Sequence, residues 1–100
     1  MFIAILDFNT AAADRPAALA QLDAEVQEVR ALPGNIAFRV YAARDDETRV
    51  TVVHEWDDES SFAGYLKSDA FVRSGEALRP LITGAPISRR FHADLLETVR

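Results

Sequence analysis

The chain has 100 residues, of which 49% are hydrophobic, and a formal net charge of −5 at pH 7. This length predicts a single domain with a modest core, and the apolar content excludes a disordered tail. The negative charge argues against nucleic acid as a partner, because affinity for phosphates depends on clustered Lys and Arg. The absence of cysteine excludes disulfides, thiolate chemistry and cysteine-ligated metals. The apolar run Met1–Leu6 is too short for a signal peptide or a membrane span, so we expect a cytoplasmic location and no membrane partner.

The first part of the chain predicts a strand followed by a helix. Phe2–Phe8 is predicted to be a strand buried on both faces, because both of its alternating sets of residues are almost entirely hydrophobic. Asp14-Arg15-Pro16 is a typical helix start, with a capping carboxylate and a proline in the first turn. Leu32-Pro33-Gly34 is expected to end this helix. Its apolar face consists of Leu19, Leu22, Val26 and Val29.

The middle of the chain predicts two strands and a helix start. Asn35–Ala43 alternates between apolar and mixed positions, and the polar segment Arg44–Thr48 connects it as a hairpin to the next strand. Arg49–Trp56 has the same period of two, so these two strands are predicted to be antiparallel. Asp58 is the predicted N-cap of the helix that follows, because its carboxylate can accept hydrogen bonds from the unpaired N–H groups of the first turn.

The last part of the chain predicts more helix and one more strand. Ser68-Asp69 can cap a second helical segment, and the helical region is expected to reach about Ile82. Gly84-Ala85-Pro86 is predicted to be a loop. Ile87–Asp94 alternates again and is the predicted fourth strand, whereas Leu95–Arg100 predicts no definite conformation.

The predicted order of elements is β-α-β-β-α-β, which is the split βαβ arrangement of ferredoxin-like α+β folds. The fold class is therefore a ferredoxin-like protomer with a four-stranded antiparallel sheet. Two helices can cover only one face of such a sheet, yet the first and third strands are apolar on both faces. A monomer rarely leaves a large apolar patch exposed, so we expect the second face to pack against a second copy in a two-fold homodimer.

Several short motifs point to a known family. Arg49–Phe71 combines an alternating strand that ends in Trp56, an acidic helix start and the run Leu66-Lys67-Ser68-Asp69-Ala70-Phe71. With Leu32-Pro33-Gly34 and the strand residues Phe38-Arg39-Val40-Tyr41 after it, this segment resembles the antibiotic biosynthesis monooxygenase domain family. The resemblance covers nearly the whole chain and implies a dimeric α+β barrel built from ferredoxin-like protomers.

The resemblance also implies an activity. Members of the family oxidise electron-rich aromatic molecules with dioxygen and use neither flavin nor metal. We therefore expect a cofactor-independent monooxygenase, with no cofactor, whose partner is a small aromatic molecule of the phenol or quinol type. Such a reaction needs a dry apolar pocket, a base that forms the substrate anion, and polar groups that hold its oxygen.

Six residues are candidates for this site. His54 would be the base, because imidazole titrates near neutral pH, and Tyr65 with Arg39 would orient the anion. The chain departs from the family pattern at two of these positions, since His54 stands where members often carry Glu and Tyr65 stands where many carry His. The predicted catalytic residues are His54 and Tyr65, and the predicted pocket residues are Trp56, Phe38, Arg39 and Phe71.

Each candidate also has a structural interpretation. His54 could be a buried histidine that is hydrogen-bonded for packing, and Tyr65 could simply pack its ring against Phe62 and Phe71. Arg39 could be a cross-strand ion-pair partner. No metal site is predicted, because the strand period sends His54 and Glu55 to opposite faces.

Two other functions stay open. The chain could be a dimeric module that binds a small molecule or has a structural role without turnover. Haem degradation also occurs in the same fold family, but the resemblance would place the axial histidine near Gly75, which cannot ligate iron.

Overall fold

A computed structural model describes residues 1–100 and contains four strands and three α-helices. The elements in chain order are β1 (Phe2–Thr10), α1 (Arg15–Arg30), β2 (Asn35–Ala42), β3 (Arg49–Trp56), α2 (Glu59–Leu66), α3 (Asp69–Leu78) and β4 (Ile82–His92). The strands form one antiparallel sheet in the order β2-β3-β1-β4. The predicted ferredoxin-like α+β fold is therefore confirmed, with the second helical region divided into α2 and α3.

The helix starts follow the predicted capping. The Asp58 carboxylate accepts a hydrogen bond from the Ser61 N–H at 2.8 Å, and the Ser68 hydroxyl accepts one from the Phe71 N–H at 3.2 Å. These bonds satisfy N–H groups that the first turn of a helix leaves unpaired. Gly34 has a φ of +79°, and a Cβ at this position would collide with the side chain of Ser61. The turn before β2 therefore requires glycine.

Two predictions for the C-terminal part are wrong. The helical region ends at Leu78 and Ile82 already belongs to β4. Gly84-Ala85-Pro86 is a bulge inside β4, because the pairing with β1 changes from Asp7–Ile87 to Asn9–Thr83 across these residues. A bulge tolerates the positive φ of Gly84 (+69°) and the missing N–H of proline, and β4 is an edge strand.

The helices lie on one face of the sheet and cover the core. Its largest fully buried side chains are Trp56, Phe8, Phe38, Val29, Val50, Val52 and Thr10. The other face has no helix over it, and there the exposed fractions are 61% for Ile87, 49% for Tyr41 and 43% for Phe91. We refer to these as the helix-covered face and the open face. None of the helices combines the length and the hydropathy that crossing a membrane requires.

Candidate functional site

A mostly apolar cavity lies between the helix-covered face and helices α2 and α3. It has a volume of about 210 Å³, and a second cavity of about 150 Å³ adjoins it. The residues that line both cavities are Leu6, His54, Tyr65 and Phe71. Polar side chains along the two cavities are few, namely His54, Tyr65, Ser74, Ser88 and Arg90. An apolar cavity with a few convergent polar groups is the usual form of a small-molecule site.

His54 projects from β3 into this space and is only 4% exposed. Its Nδ1 accepts a hydrogen bond from Trp56 Nε1 at 2.9 Å. Since the indole nitrogen can only donate, a neutral imidazole in this position carries its proton on Nε2. Nε2 has no partner in the protein, whereas every fully buried side-chain polar atom has one. The Nε2–H group is therefore available to a molecule in the cavity.

The surroundings of His54 favour its neutral form. Burial, followed by the positive charge of Arg90, lowers the pKa of His54 from 6.5 to about 4. The imidazole is thus uncharged at neutral pH and binds a proton weakly. Because Nδ1 is already occupied and Nε2 carries the proton, this geometry favours a hydrogen-bond donor over the base that we expected from the sequence.

Tyr65 lies on α2, is 9% exposed and lines both cavities. Its ring centroid is 5.4 Å from that of His54 and 5.2 Å from that of Phe71. Burial, followed by the negative charge of Glu25, raises the pKa of Tyr65 to about 12. The hydroxyl stays protonated at neutral pH, and like His54 Nε2 it has no partner in the protein. Tyr65 can therefore be a second hydrogen-bond donor.

The three aromatic residues predicted to line the pocket occupy different positions. Phe38 is buried at the base of the larger cavity, opposite His54 in the sheet. Phe71 lines both cavities and is 38% exposed. Trp56 does not line either cavity, because it is fully buried behind His54 and Tyr65. Its predicted role as a pocket wall is wrong, and it orients the imidazole of His54 instead.

Arg39 is not brought to the cavity. It lies on the open face, where its Nη1 is 3.3 Å from a carboxylate oxygen of Glu55. The alternative interpretation as a cross-strand ion-pair partner is thus confirmed. Phe38 and Arg39 are neighbours in one strand, and successive strand residues point to opposite faces, so both could not line the same pocket of one protomer.

Arg90, unlike Arg39, lines the smaller cavity. It pairs with Ala4 in the sheet, and Ala4 pairs in turn with His54, so only one small residue separates the two. The guanidinium carbon is 4.9 Å from the ring centroid of Phe62, and Nε donates to the Ser88 hydroxyl at 3.3 Å. Ser88 and Arg90 are two positions apart in the predicted fourth strand and therefore share a face, but the register with β1 decides what that face meets.

No group of three or more His, Asp or Glu residues is arranged to hold a metal ion. The second histidine, His92, lies near the end of β4 and is 3.1 Å from Glu59, with its side chain 78% exposed. The polar groups along the two cavities are the imidazole of His54, the hydroxyls of Tyr65, Ser74 and Ser88, and the guanidinium of Arg90.

Solved structures with the same fold cover almost the whole chain. A protein from Deinococcus radiodurans, provisionally described as an antibiotic biosynthesis monooxygenase, matches with a TM-score of 0.89 at 16% identity, covering 100% of this chain and 99% of that one. One from Nitrosomonas europaea with the same provisional description has a TM-score of 0.88 at 13% identity, covering 93% and 98%. A protein from Mycobacterium tuberculosis has a TM-score of 0.86 at 19% identity, covering 98% of each chain. At these identities the likeness shows the fold alone.

The sequence comparisons identify a family but no individual curated relative. No curated protein matches the chain. The family model for antibiotic biosynthesis monooxygenases, in contrast, matches residues 1–77, which contain the first three strands, α1, α2, all but the last residue of α3, and both neutral donors of the cavity. The chain therefore belongs to the antibiotic biosynthesis monooxygenase family.

Proposed function

We propose that this protein is a cofactor-independent monooxygenase that oxidises a small phenol or quinol with dioxygen. The observation that carries the proposal is the pair of hydrogen-bond donors, His54 Nε2 and the Tyr65 hydroxyl, in an apolar cavity of a family member. An engineered apolar cavity of about 150 Å³ binds benzene, so two adjoining cavities of this size have room for one or two aromatic rings.

The two donors suit an oxygen that carries negative charge. A phenol that has lost its hydroxyl proton to solvent would accept hydrogen bonds from His54 and Tyr65, and both donors keep their protons at neutral pH. Fixed donors in a water-poor site favour the charged form of a bound oxygen. In this mechanism the two residues hold and polarise the substrate, and neither has to accept a proton.

The reaction balances without a further reductant. One atom of dioxygen forms a bond to a ring carbon of the phenolate, and that carbon loses its hydrogen as a proton. Cleavage of the O–O bond leaves a carbonyl on the ring and releases hydroxide. That hydroxide already carries one of the two protons lost by the phenol and takes up the other to become water, so phenol and dioxygen give quinone and water.

Oxygen uptake with a panel of phenols and hydroquinones tests this function. We expect uptake above the uncatalysed rate that survives a metal chelator. Tyr65→Phe removes only the hydroxyl, and His54→Phe removes the donor while filling its space. Each should lower kcat by roughly a hundredfold, as the loss of one fixed donor typically does.

A matched control uses the other histidine. His92→Phe makes the same substitution at an exposed position outside both cavities and should leave uptake unchanged. No uptake with any member of the panel, or equal losses at His54 and His92, would contradict the proposed function.

One observation favours a second candidate, a binding module without turnover. The low pKa of His54 and its occupied Nδ1 leave no proton acceptor among the side chains of the cavity. A protein that binds phenols in the micromolar to millimolar range and never consumes dioxygen would fit this candidate.

We also propose that the protein is a homodimer formed through the open face. Ile87 and Tyr41 are exposed there, and Ile5 and Val53 are paired at its centre. An exposed apolar face of this kind is typical of an interface between copies. Sedimentation should give twice the mass of the chain, and Val53→Asp should give the monomer. A wild-type monomer would contradict this assembly.

A further inference from the structure

Arg90 is the only permanently charged side chain that lines the two cavities. Three other arginines form ion pairs with carboxylates. Arg39 contacts Glu55, Arg73 contacts Glu25 and Glu28, and Arg89 contacts Asp7. Arg90 has no carboxylate within ion-pair distance, and its neighbours are the Phe62 ring and the Ser88 hydroxyl. Its charge therefore lacks a counterion.

The position of Arg90 connects this charge to the proposed site. It lines the smaller cavity together with His54, Tyr65 and Ser88. The guanidinium lies over the Phe62 ring in a cation–π contact, and its Nε donates a solvent-exposed hydrogen bond to the Ser88 hydroxyl. The remaining N–H groups form a rigid set of donors that matches an anionic oxygen.

We infer that Arg90 is the anion-recognition residue of the cavity, and that the preferred ligand is an aromatic acid bound as its anion: a phenolate, an enolate or a ring carboxylate. The inference rests on the proposed function only for the location of the site, because binding does not require turnover. Arg90 supplies the positive charge that the two neutral donors lack. The molecule binds with its ring among the aromatic side chains and its acidic oxygen toward β4.

The position also explains why the ligand binds as an anion without a base in the cavity. A positive charge a few ångströms from an acidic hydroxyl lowers the pKa of that hydroxyl, so the proton leaves for solvent when the ligand binds. The charge of Arg90 also contributes, after burial, to the low pKa of His54 and so helps to keep that imidazole uncharged. One cation thus favours both a charged ligand and a neutral histidine donor.

Binding of para-nitrophenol tests the inference directly, because its anion and its neutral form have different visible absorption spectra. In the wild type we expect the bound probe to be more ionised than the free probe at the same pH. In Arg90→Gln the bound probe should be clearly less ionised than in the wild type, and affinity for the anion should fall by roughly tenfold or more. Affinity for para-nitroanisole, which cannot ionise, should change less than about twofold.

Two further variants serve as controls. Arg89→Gln removes the same charge from the neighbouring residue, whose side chain lies on the open face near Asp7, and should leave binding of the probe unchanged. Arg90→Lys keeps the charge and should retain most of the ionisation. Circular dichroism and sedimentation would check that each variant has the wild-type fold and assembly.

The outcomes separate this inference from the proposed function. An ionised bound probe that depends on Arg90 supports the inference even if no phenol supports oxygen uptake. Oxygen uptake with an unchanged KM in Arg90→Gln would overturn the inference and leave the monooxygenase intact. A neutral bound probe in the wild type, absence of binding, or equal losses in Arg89→Gln and Arg90→Gln would also overturn it.

Discussion

The two faces of the sheet have opposite chemistry, although alternate residues of the same strands build them. The helix-covered face holds the cavity with its neutral donors and an unpaired arginine. The open face holds ion pairs and exposed apolar side chains. Three pairs of sequence neighbours are divided between the two faces in this way: Phe38 and Arg39, His54 and Val53, and Arg90 and Arg89.

This division shows that residue type alone does not assign a role in this fold. Arg89 and Arg90 are adjacent and chemically identical, yet Arg89 lies 3.8 Å from the Asp7 carboxylate and Arg90 has no such partner. The difference comes from which face each side chain reaches, since neighbours in a strand point in opposite directions. Single substitutions at neighbouring positions are therefore the sharpest way to test the comparison.

The largest expected effect distinguishes Phe38 from Arg39. Phe38 is 2% exposed, so Phe38→Ala should lower the free energy of unfolding by about 3–5 kcal/mol through lost burial and a cavity. Arg39 forms an exposed ion pair, and Arg39→Ala should lower it by less than about 1 kcal/mol. Chemical denaturation measures both values. Similar losses of unfolding free energy in the two variants would contradict the assignment of Phe38 to the buried face and Arg39 to the open face.

The next effect concerns pH and the two histidines. In the unfolded chain the His54 imidazole binds a proton near pH 6.5, whereas in the folded protein its pKa is about 4. Between these values the unfolded state binds more protons, so stability should fall as the pH falls. From about pH 7 to about pH 5 the loss attributable to His54 should be about 2 kcal/mol.

His54→Phe should remove this part of the pH dependence, and His92→Phe should retain it, because His92 is exposed. Denaturation curves of the three proteins at both pH values provide the measurement. An unchanged pH dependence in His54→Phe would mean that the imidazole is not held neutral on the helix-covered face.

A third effect concerns the contact that orients His54. Trp56→Phe removes the indole N–H that Nδ1 accepts and should cost about 1–3 kcal/mol, because a buried acceptor loses its partner. The imidazole nitrogen chemical shifts in NMR spectra report the tautomer. We expect an unprotonated Nδ1 and a protonated Nε2 in the wild type, and a mixture of tautomers in the variant. A wild-type proton on Nδ1 would contradict the donor role of His54.

Much of the fold could be predicted because its signals are local. Strand period, the caps at Asp58 and Ser68 and the glycine turn at Gly34 are all visible within a few residues. The end of α3 and the start of β4 were missed, because the pairing of Ile82 with Thr10 is long-range and overrides the local turn signal of Gly84-Ala85-Pro86.

The site was predicted less completely, for the same reason. His54, Tyr65, Phe38 and Phe71 line the cavity, and they could be proposed because aromatic and titratable side chains on the predicted buried face are recognisable from the alternation. The position of Arg90 beside the cavity could not be predicted, because β4 meets His54 only through the register of β1. Trp56 was placed in the wall because the alternation gives the face of a residue but not its depth.

The central claim is that the cavity beneath the helices, and not the open face, receives the aromatic ligand. Mapping the NMR chemical-shift changes caused by para-nitrophenol tests it most directly. We expect the largest changes at Tyr65, Phe71 and Leu78, which line the cavity, and negligible changes at Ile5 and Val53. Changes concentrated at Ile5 and Val53, with none around the cavity, would contradict the account.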